Sequence, residues 1–195
     1  MSGDNKLIFF HGSMASGKSL QLLVKAHNFD QKKIPILLIK PSIDNRDGTD
    51  IIKSRIGIER KCLPIDADTN LFSLAIKHRY CKYILVDECQ FLTPQQVEQL
   101  ATVVDRIGIN VLCYGLRTDF LSKAFPGSLR LFELADEIIE IDSYCECGHK
   151  AIINARFDKD GNLVTDGEQI QIGGDDTYRA ICRECFFNNL YKEKN

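Results

Sequence analysis

FFHGSMASGKSLQLLVKA, residues 9–26, carries an apolar run into a helical pattern through a loop that Gly12 and Gly17 bracket and Lys18 and Ser19 end. The loop, made of Gly12, Ser13, Met14, Ala15, Ser16, Gly17, Lys18 and Ser19, fits G-x(4)-G-K-S. Backbone N–H groups of such a loop, and of the helix N-terminus behind it, converge on a polyphosphate; the lysine reaches the terminal phosphates and the hydroxyl ligates Mg²⁺. So short a pattern also arises by chance, and its surroundings decide. Residues 6–10, KLIFF, read as a short buried strand, and Leu20, Leu23 and Val24 share one helical face, which is the strand–loop–helix context the pattern requires.

Outward from that unit, strand and helix patterns alternate. Residues 36–40, ILLIK, form a second strand ended by Pro41. Residues 42–61 are rich in turn formers and charges, so they read as a loop, with an Asp44-x-Arg46 pair and a weak apolar alternation around 56–58. Leu71, Leu74 and Ala75 have helical spacing within 69–79, and residues 82–91, KYILVDECQF, are a near-continuous apolar strand ending in two acids. Thr93 as N-cap, Pro94 at the first helical position and Gln96 at the third open a helix whose buried face is Val97, Leu100, Ala101 and Val104. A strand at 110–116, a loop RTDFLSKAFPGS with two aromatics read as exposed, a helix at 130–134 and a strand at 137–141 complete a parallel α/β sheet up to residue 142. Such sheets bind ligands at the carboxyl ends of their strands, where Gly12, Asp87 and the loop after Leu116 fall.

Composition narrows the function classes. The 195 residues are 44% hydrophobic with a net charge of -2, enough for a real core and without the basic footprint of an extended nucleic-acid surface. No nucleic acid and no membrane is expected as a partner. The start, MSGDNK, lacks an apolar core behind a basic region, and no run has the length to span a bilayer, so an intracellular, cytoplasmic protein is expected. Of the eight cysteines, Cys62, Cys81, Cys89 and Cys113 are scattered and read as buried thiols.

The acids at the end of the third strand carry chemistry. Asp87 stands where a carboxylate holds Mg²⁺, usually through water, opposite the Ser19 hydroxyl. Glu88, one residue on, points elsewhere and is the candidate to accept or position the proton of an attacking hydroxyl while Lys18 and Mg²⁺ neutralise the transferred phosphoryl group. The plainer reading makes one of the two a helix cap or surface acid. Arg117 and Arg130 face either a phosphate or solvent.

From Ser143 the composition changes. Cys145-x-Cys147, a turn at Asp160-Gly161-Asn162 and Cys182-x-x-Cys185 follow. Two cysteine pairs in an intracellular chain read as a structural zinc site that staples a lobe with little core of its own. One intervening residue strains chelation by the first pair, so a shell with His149 in place of Cys145 is the alternative. The fold class expected is α/β: a P-loop nucleotide-binding parallel sheet over residues 1–142 with a small C-terminal zinc-binding lobe over 143–195.

Together the loop GSMASGKS, the strand end VDECQF, the Asp44-x-Arg46 pair, the GLRTDFLSKAFPGS loop and the tail IGGDDTYRAICRECF resemble the zinc-containing type of thymidine kinase, the family of the cytosolic animal enzyme and its bacterial relatives. The resemblance covers nearly the whole chain. It implies ATP-dependent phosphorylation of the thymidine 5′-hydroxyl in nucleoside salvage, with Glu88 as catalytic base, Met14, Phe91, Leu116, Phe120 and Phe125 around base and sugar, and Gln90 beside them. Asp44 and Arg46 match a pair near the reacting phosphoryl and 5′-hydroxyl. Tyr178 and the backbone of Ile172, Gly173 and Gly174 match a lasso loop over the thymine, carried by the C-terminal lobe. The family also implies a homotetramer and feedback inhibition by thymidine triphosphate. Departures are Cys145-x-Cys147 where C-x-x-C is common, Gln171 where an apolar residue is common, and Asn154 in place of a small hydroxyl in the thymine pocket, where an amide can still hydrogen-bond the base. Two rivals remain: a P-loop ATPase module of a nucleic-acid motor, since VDECQF resembles the acid pair of such motors, and a nucleotide-binding regulator without turnover. One sheet and a net charge of -2 argue against the motor.

Overall fold

The computed structural model describes residues 5–167, 169 and 178–191. In chain order its elements are β1 (Leu7–His11), α1 (Lys18–Gln31), β2 (Ile36–Pro41), a hairpin of β3 (Ile51–Lys53) and β4 (Glu59–Lys61), β5 (Leu63–Ile65), α2 (Leu71–Lys77), β6 (Tyr83–Val86), α3 (Pro94–Ile107), β7 (Asn110–Gly115), α4 (Pro126–Leu134), β8 (Glu137–Glu140), β9 (Ile153–Arg156), β10 (Tyr178–Ile181) and α5 (Arg183–Leu190). Six strands form one sheet in the order β5-β2-β6-β7-β1-β8, parallel throughout.

Because side chains alternate across a strand, each central strand feeds two cores. Leu7 and Phe9, Ile84 and Val86, Val111 and Cys113 point to one face, where Leu71 of α2, Val97, Leu100 and Val104 of α3 and Leu131 of α4 cover them. Leu85, Leu112 and Tyr114 point to the other, against Leu22, Leu23 and Ala26 of α1. Helices on both faces are what a buried parallel sheet requires. The carboxyl ends of the adjacent β6, β7 and β1 open on one edge, and the loops that leave them build the site.

Local chemistry explains most element ends. Thr93 accepts the Gln96 N–H at 3.1 Å and the Gln96 side chain accepts the Thr93 N–H at 3.1 Å, a reciprocal cap that starts α3. Gln96 Nε2 also donates to the carbonyls of Asp66 and Thr69, tying that helix start to the segment before α2.

Several sequence expectations need correction. Val24 is 48% exposed. The buried stripe of α1 is Lys18, Leu22, Leu23 and Ala26, set by the direction in which the loop before it delivers the helix to the sheet. Residues 42–61 are not only a loop: β3 and β4 pair antiparallel, and the alternation at 56–58 lies in their turn, with Ile56 and Ile58 exposed. Strands of three residues are too short for a period of two to register. β5 was also missed, a sheet-edge strand that tolerates Pro64 because an edge leaves its N–H side unpaired. α4 begins at Pro126 rather than 130, and Phe120 and Phe125, read as exposed, are 2% and 4% accessible.

Past β8, β9 and β10 pair antiparallel and bury a separate small cluster that includes Ala151, Ile153, Ala155, Phe157 and Ile181 together with Cys145 and Cys182. Among the described residues no helix is long and apolar enough to cross a membrane.

Leu100, wholly buried between α3 and the sheet, should be a site of maximal packing cost. Replacing Leu100 by Ala is expected to lower stability by about 2–5 kcal/mol, read from urea unfolding as a lower midpoint with an unchanged slope.

Candidate active site

The phosphate loop leaves β1 and returns as α1, and its tightness rests on Gly12: a Cβ there would lie 2.5 Å from Ser16 Oγ and 2.7 Å from the Ile141 carbonyl. Lys18, buried, folds its ammonium back on the loop, donating to the carbonyls of Ser13 at 2.7 Å and Gly12 at 3.3 Å. Burial pushes Lys18 below the ordinary lysine range, against the pull of Glu88 and Asp87. A phosphate would offer this ammonium a charged partner in place of two carbonyls.

Across from the loop, β6 ends at Val86 and delivers Asp87. Ser19 Oγ donates to Asp87 Oδ1 at 3.2 Å, so the hydroxyl and carboxylate named for Mg²⁺ lie side by side. Burial, and next the Glu88 charge beside it, push Asp87 up to about 7. Two hard oxygen donors at the phosphate end of a cleft suit Mg²⁺, which favours carboxylate, hydroxyl and phosphate oxygens.

Glu88 adopts a left-handed backbone, φ 50° and ψ 39°, uncommon for a residue with a Cβ and costing about 1 kcal/mol or more. That turn aims its carboxylate away from Asp87 and into the cleft. Oε1 accepts Arg46 Nη2 at 2.5 Å, and Oε2 accepts Gln90 Nε2 at 2.5 Å. Gln90 is itself fixed, its Oε1 taking the Leu116 N–H at 3.0 Å. It can approach so closely because β7 ends in Gly115, where a Cβ would meet Gln90 Oε1 and Cys89 Sγ at 2.6 Å. Arg46 Nε donates to Asp44 Oδ1 at 2.7 Å. Burial works against the Arg46 charge, but Glu88 and Asp44 more than offset it and hold the guanidinium more firmly protonated than usual. For Asp44 burial pushes the carboxyl up, yet the Arg46 hydrogen bond and charge, and then Lys40, bring it below the ordinary carboxylate range.

Lys18, Ser19, Asp44, Arg46, Glu88 and Gln90 line one cleft of about 830 Å³. Its polar end is the phosphate loop; its apolar end is formed by Phe91, Leu116, Phe120, Phe125 and Tyr178. Phe91 and Phe125 meet edge to face at 5.9 Å, and the Arg156 guanidinium lies 5.5 Å over the Phe120 ring. Met14 and Asn154 also reach the cleft, but both ends of the Asn154 amide are engaged by backbone: Oδ1 accepts the Met14 N–H at 2.6 Å and Nδ2 donates to the Thr118 carbonyl at 3.1 Å. Gln171, Ile172, Gly173 and Gly174 lie outside the described residues. Arg130 is a surface residue paired with Glu98 and Glu133, and Arg117 donates to the Ile152 carbonyl beside a small separate cavity.

Sequence reading missed Asp119, which is buried, accepts the N–H groups of Leu121 and Lys123 and takes Gln169 Nε2 at 2.9 Å. It ties the aromatic loop to the segment that leads toward β10. An acid between two loop residues carries no sequence signal of such a role. Lys40 was missed too, although a cation closing the apolar run of a strand is such a signal.

The sulfur atoms of Cys145, Cys147, Cys182 and Cys185 all lie within 4.8 Å of one another, and those of Cys147 and Cys182 are 3.6 Å apart. Tetrahedral zinc with bonds of about 2.3 Å separates its sulfurs by about 3.8 Å, so the donor set and spacing suit a structural zinc ion. The short first pair manages this because residues 145–148 form a tight turn, Gly148 N–H to Cys145 carbonyl at 2.8 Å, with Cys145 N–H bonded to the His149 carbonyl. His149 is exposed outside the cluster, its Nδ1 3.5 Å from Cys147 Sγ.

A cleft with an anion cradle at one end, an apolar slot at the other and an oriented carboxylate between them is equipped to hold a hydroxyl against a phosphoryl group. The family model described as "Thymidine kinase" matches residues 5–186. Among curated relatives, the thymidine kinase of Coxiella burnetii is 43% identical over 93% of this chain and 94% of its own length. That of Vibrio cholerae is 44% identical over 92% and 95%, and that of Mannheimia succiniciproducens 44% over 97% and 99%. Matches of this extent carry the phosphate loop, the carboxylate turn and the cysteine lobe together, and the chain belongs to the thymidine kinase family.

Proposed function

We propose that this protein is an ATP:thymidine 5′-phosphotransferase, producing thymidine monophosphate. The observation that carries the reading is the Glu88 carboxylate, gripped at both oxygens by Arg46 and Gln90 between a phosphate loop and an apolar slot. Phe91, Leu116, Phe120, Phe125 and Tyr178 take the nucleoside, whose flat base and sugar suit aromatic walls, and Met14 closes the slot toward the phosphate loop. Gln171, Ile172, Gly173 and Gly174 complete the base site in this reading.

The chemistry follows from charge. The phosphate loop and Lys18 bind the ATP phosphates and hold the γ-phosphoryl in line with the 5′-hydroxyl, which is where most of the rate gain in phosphoryl transfer arises. Ser19 and Asp87 would hold Mg²⁺, which when bound with ATP neutralises charge on the phosphate oxygens. Glu88 accepts the hydroxyl proton as the oxygen attacks. Arg46, bridging Asp44 and Glu88, orients that carboxylate and offers its remaining N–H groups to the transferred phosphoryl.

Cys145, Cys147, Cys182 and Cys185 hold structural zinc, and residues 143–195 form the nucleoside lobe beside an ATP domain of residues 1–142. A homotetramer and thymidine triphosphate as feedback inhibitor, both implied by the resemblance, and a cytoplasmic location are part of the proposal. No observation favours the motor or the regulator.

Replacing Glu88 by Gln is expected to lower thymidine phosphorylation about 10²- to 10⁴-fold while ATP binding persists. Steady-state kinetics with nucleoside product identified by mass, alongside titration with a non-hydrolysable ATP analogue, checks this; undiminished turnover sinks the assigned role. ATP consumption by the native protein that ignores thymidine but rises with single-stranded DNA would point to the motor instead. For the metal, the purified protein should contain one zinc per chain by elemental analysis, and Cys185→Ser should lose the zinc and lower Tm. Retained stability in a zinc-free protein would refute a structural metal.

A further inference from the structure

Lys40, near the end of β2, has one of the largest fully buried side chains in the protein, 2% exposed. An ammonium inside an apolar sheet is costly unless its donors are used. Here Nζ donates to the carbonyls of Gly48 at 2.8 Å and Ile51 at 2.7 Å, and it lies 3.5 Å from Asp44 Oδ2. All these acceptors belong to residues 44–51, the segment that carries Asp44 and Arg46 from β2 into the β3–β4 hairpin.

The contacts form a directed series. The oxygen of Asp44 not facing Lys40 takes Arg46 Nε, and the other arm of the same guanidinium meets Glu88. β2 is held between β5 and β6, so the Lys40 backbone is anchored in the sheet, whereas the Arg46 side chain is 39% exposed on a connecting segment. A long guanidinium in that setting has many rotamers, and its planar fork reaches two carboxylates at once only if the first is already in place. Lys40 Nζ, 3.5 Å from Asp44 Oδ2, gives that first carboxylate a buried positive charge to face.

We propose that Lys40 is a positioning residue for phosphoryl transfer: it fixes Asp44, Asp44 fixes the Arg46 fork, and Arg46 aims Glu88 at the substrate hydroxyl. This rests on the reading of Glu88 as the base. A purely structural Lys40 would pin the hairpin start and affect stability; a positioning Lys40 acts on kcat through Arg46, and that difference is measurable.

The test is thymidine phosphorylation by the full chain carrying Lys40→Met, Asp44→Asn, Arg46→Lys and the doubles Lys40→Met/Arg46→Lys and Asp44→Asn/Arg46→Lys. Rates are normalised to the sites that bind a non-hydrolysable ATP analogue. Lys40→Met and Asp44→Asn are each expected to lower kcat about 10- to 100-fold with KM for ATP within about threefold of the native value. Each should add nothing to Arg46→Lys, which keeps the charge but has already lost the fork. A kcat within about twofold of native, or effects that multiply with that of Arg46→Lys, overturns the proposal. If Lys40→Met fails to fold, Lys40→Gln, whose amide can still donate to the carbonyls but lacks the charge facing Asp44, decides by the same criteria. Glu88→Gln run in parallel separates the two failures: surviving turnover refutes the base and the proposal resting on it, whereas an inactive Glu88→Gln beside a fully active Lys40→Met refutes Lys40 alone.

Discussion

Glu88 sits just past the end of β6 on a left-handed backbone, with Arg46 on one carboxylate oxygen and Gln90 on the other. A carboxylate so held cannot rotate freely, and its two partners come from different parts of the chain: Arg46 from the segment after β2, Gln90 from the turn after β6, itself fixed by the backbone after β7. Its orientation therefore depends on the parallel sheet being in register. Free energy gained in the two cores is what holds the strained turn in place.

The phosphate end and the nucleoside end are joined by polar residues that touch backbone. Asn154 links β9 to the phosphate loop at Met14 and to the aromatic loop at Thr118, and Asp119 links that loop to Gln169. These buried amides and carboxylates are satisfied, so they fix geometry without an unpaired group in the interior. A lobe with a core as small as the one around Ile153, Phe157 and Ile181 gains order from such ties, and the sulfurs of its four cysteines converge on one point.

Chemistry read from residue types and chemistry read from placement differ here. Asn154, by type, is a group that could read a base, yet in the fold both ends of its amide are engaged by backbone. Gln90, expected only to lie beside the nucleoside, grips Glu88. Lys40, an unremarked charge in a strand, stands at the head of the series that ends on the same carboxylate.

The sequence by itself determined the α/β class, the phosphate loop between β1 and α1, the cap of α3, the pair of acids after β6 and the cysteine pairs, because each is written in local periodicity or in residues a few positions apart. Tertiary structure alone decided which face of α1 is buried, that Phe120 and Phe125 are inside, that β3, β4 and β5 form at all, and that Cys145 joins the sulfur cluster while His149 stays outside. Those features depend on partners far along the chain. Val24 and Leu22 are equally apolar, and only the direction in which the loop delivers the helix to the sheet selects between them; strands of three residues exist only because a neighbour supplies their hydrogen bonds.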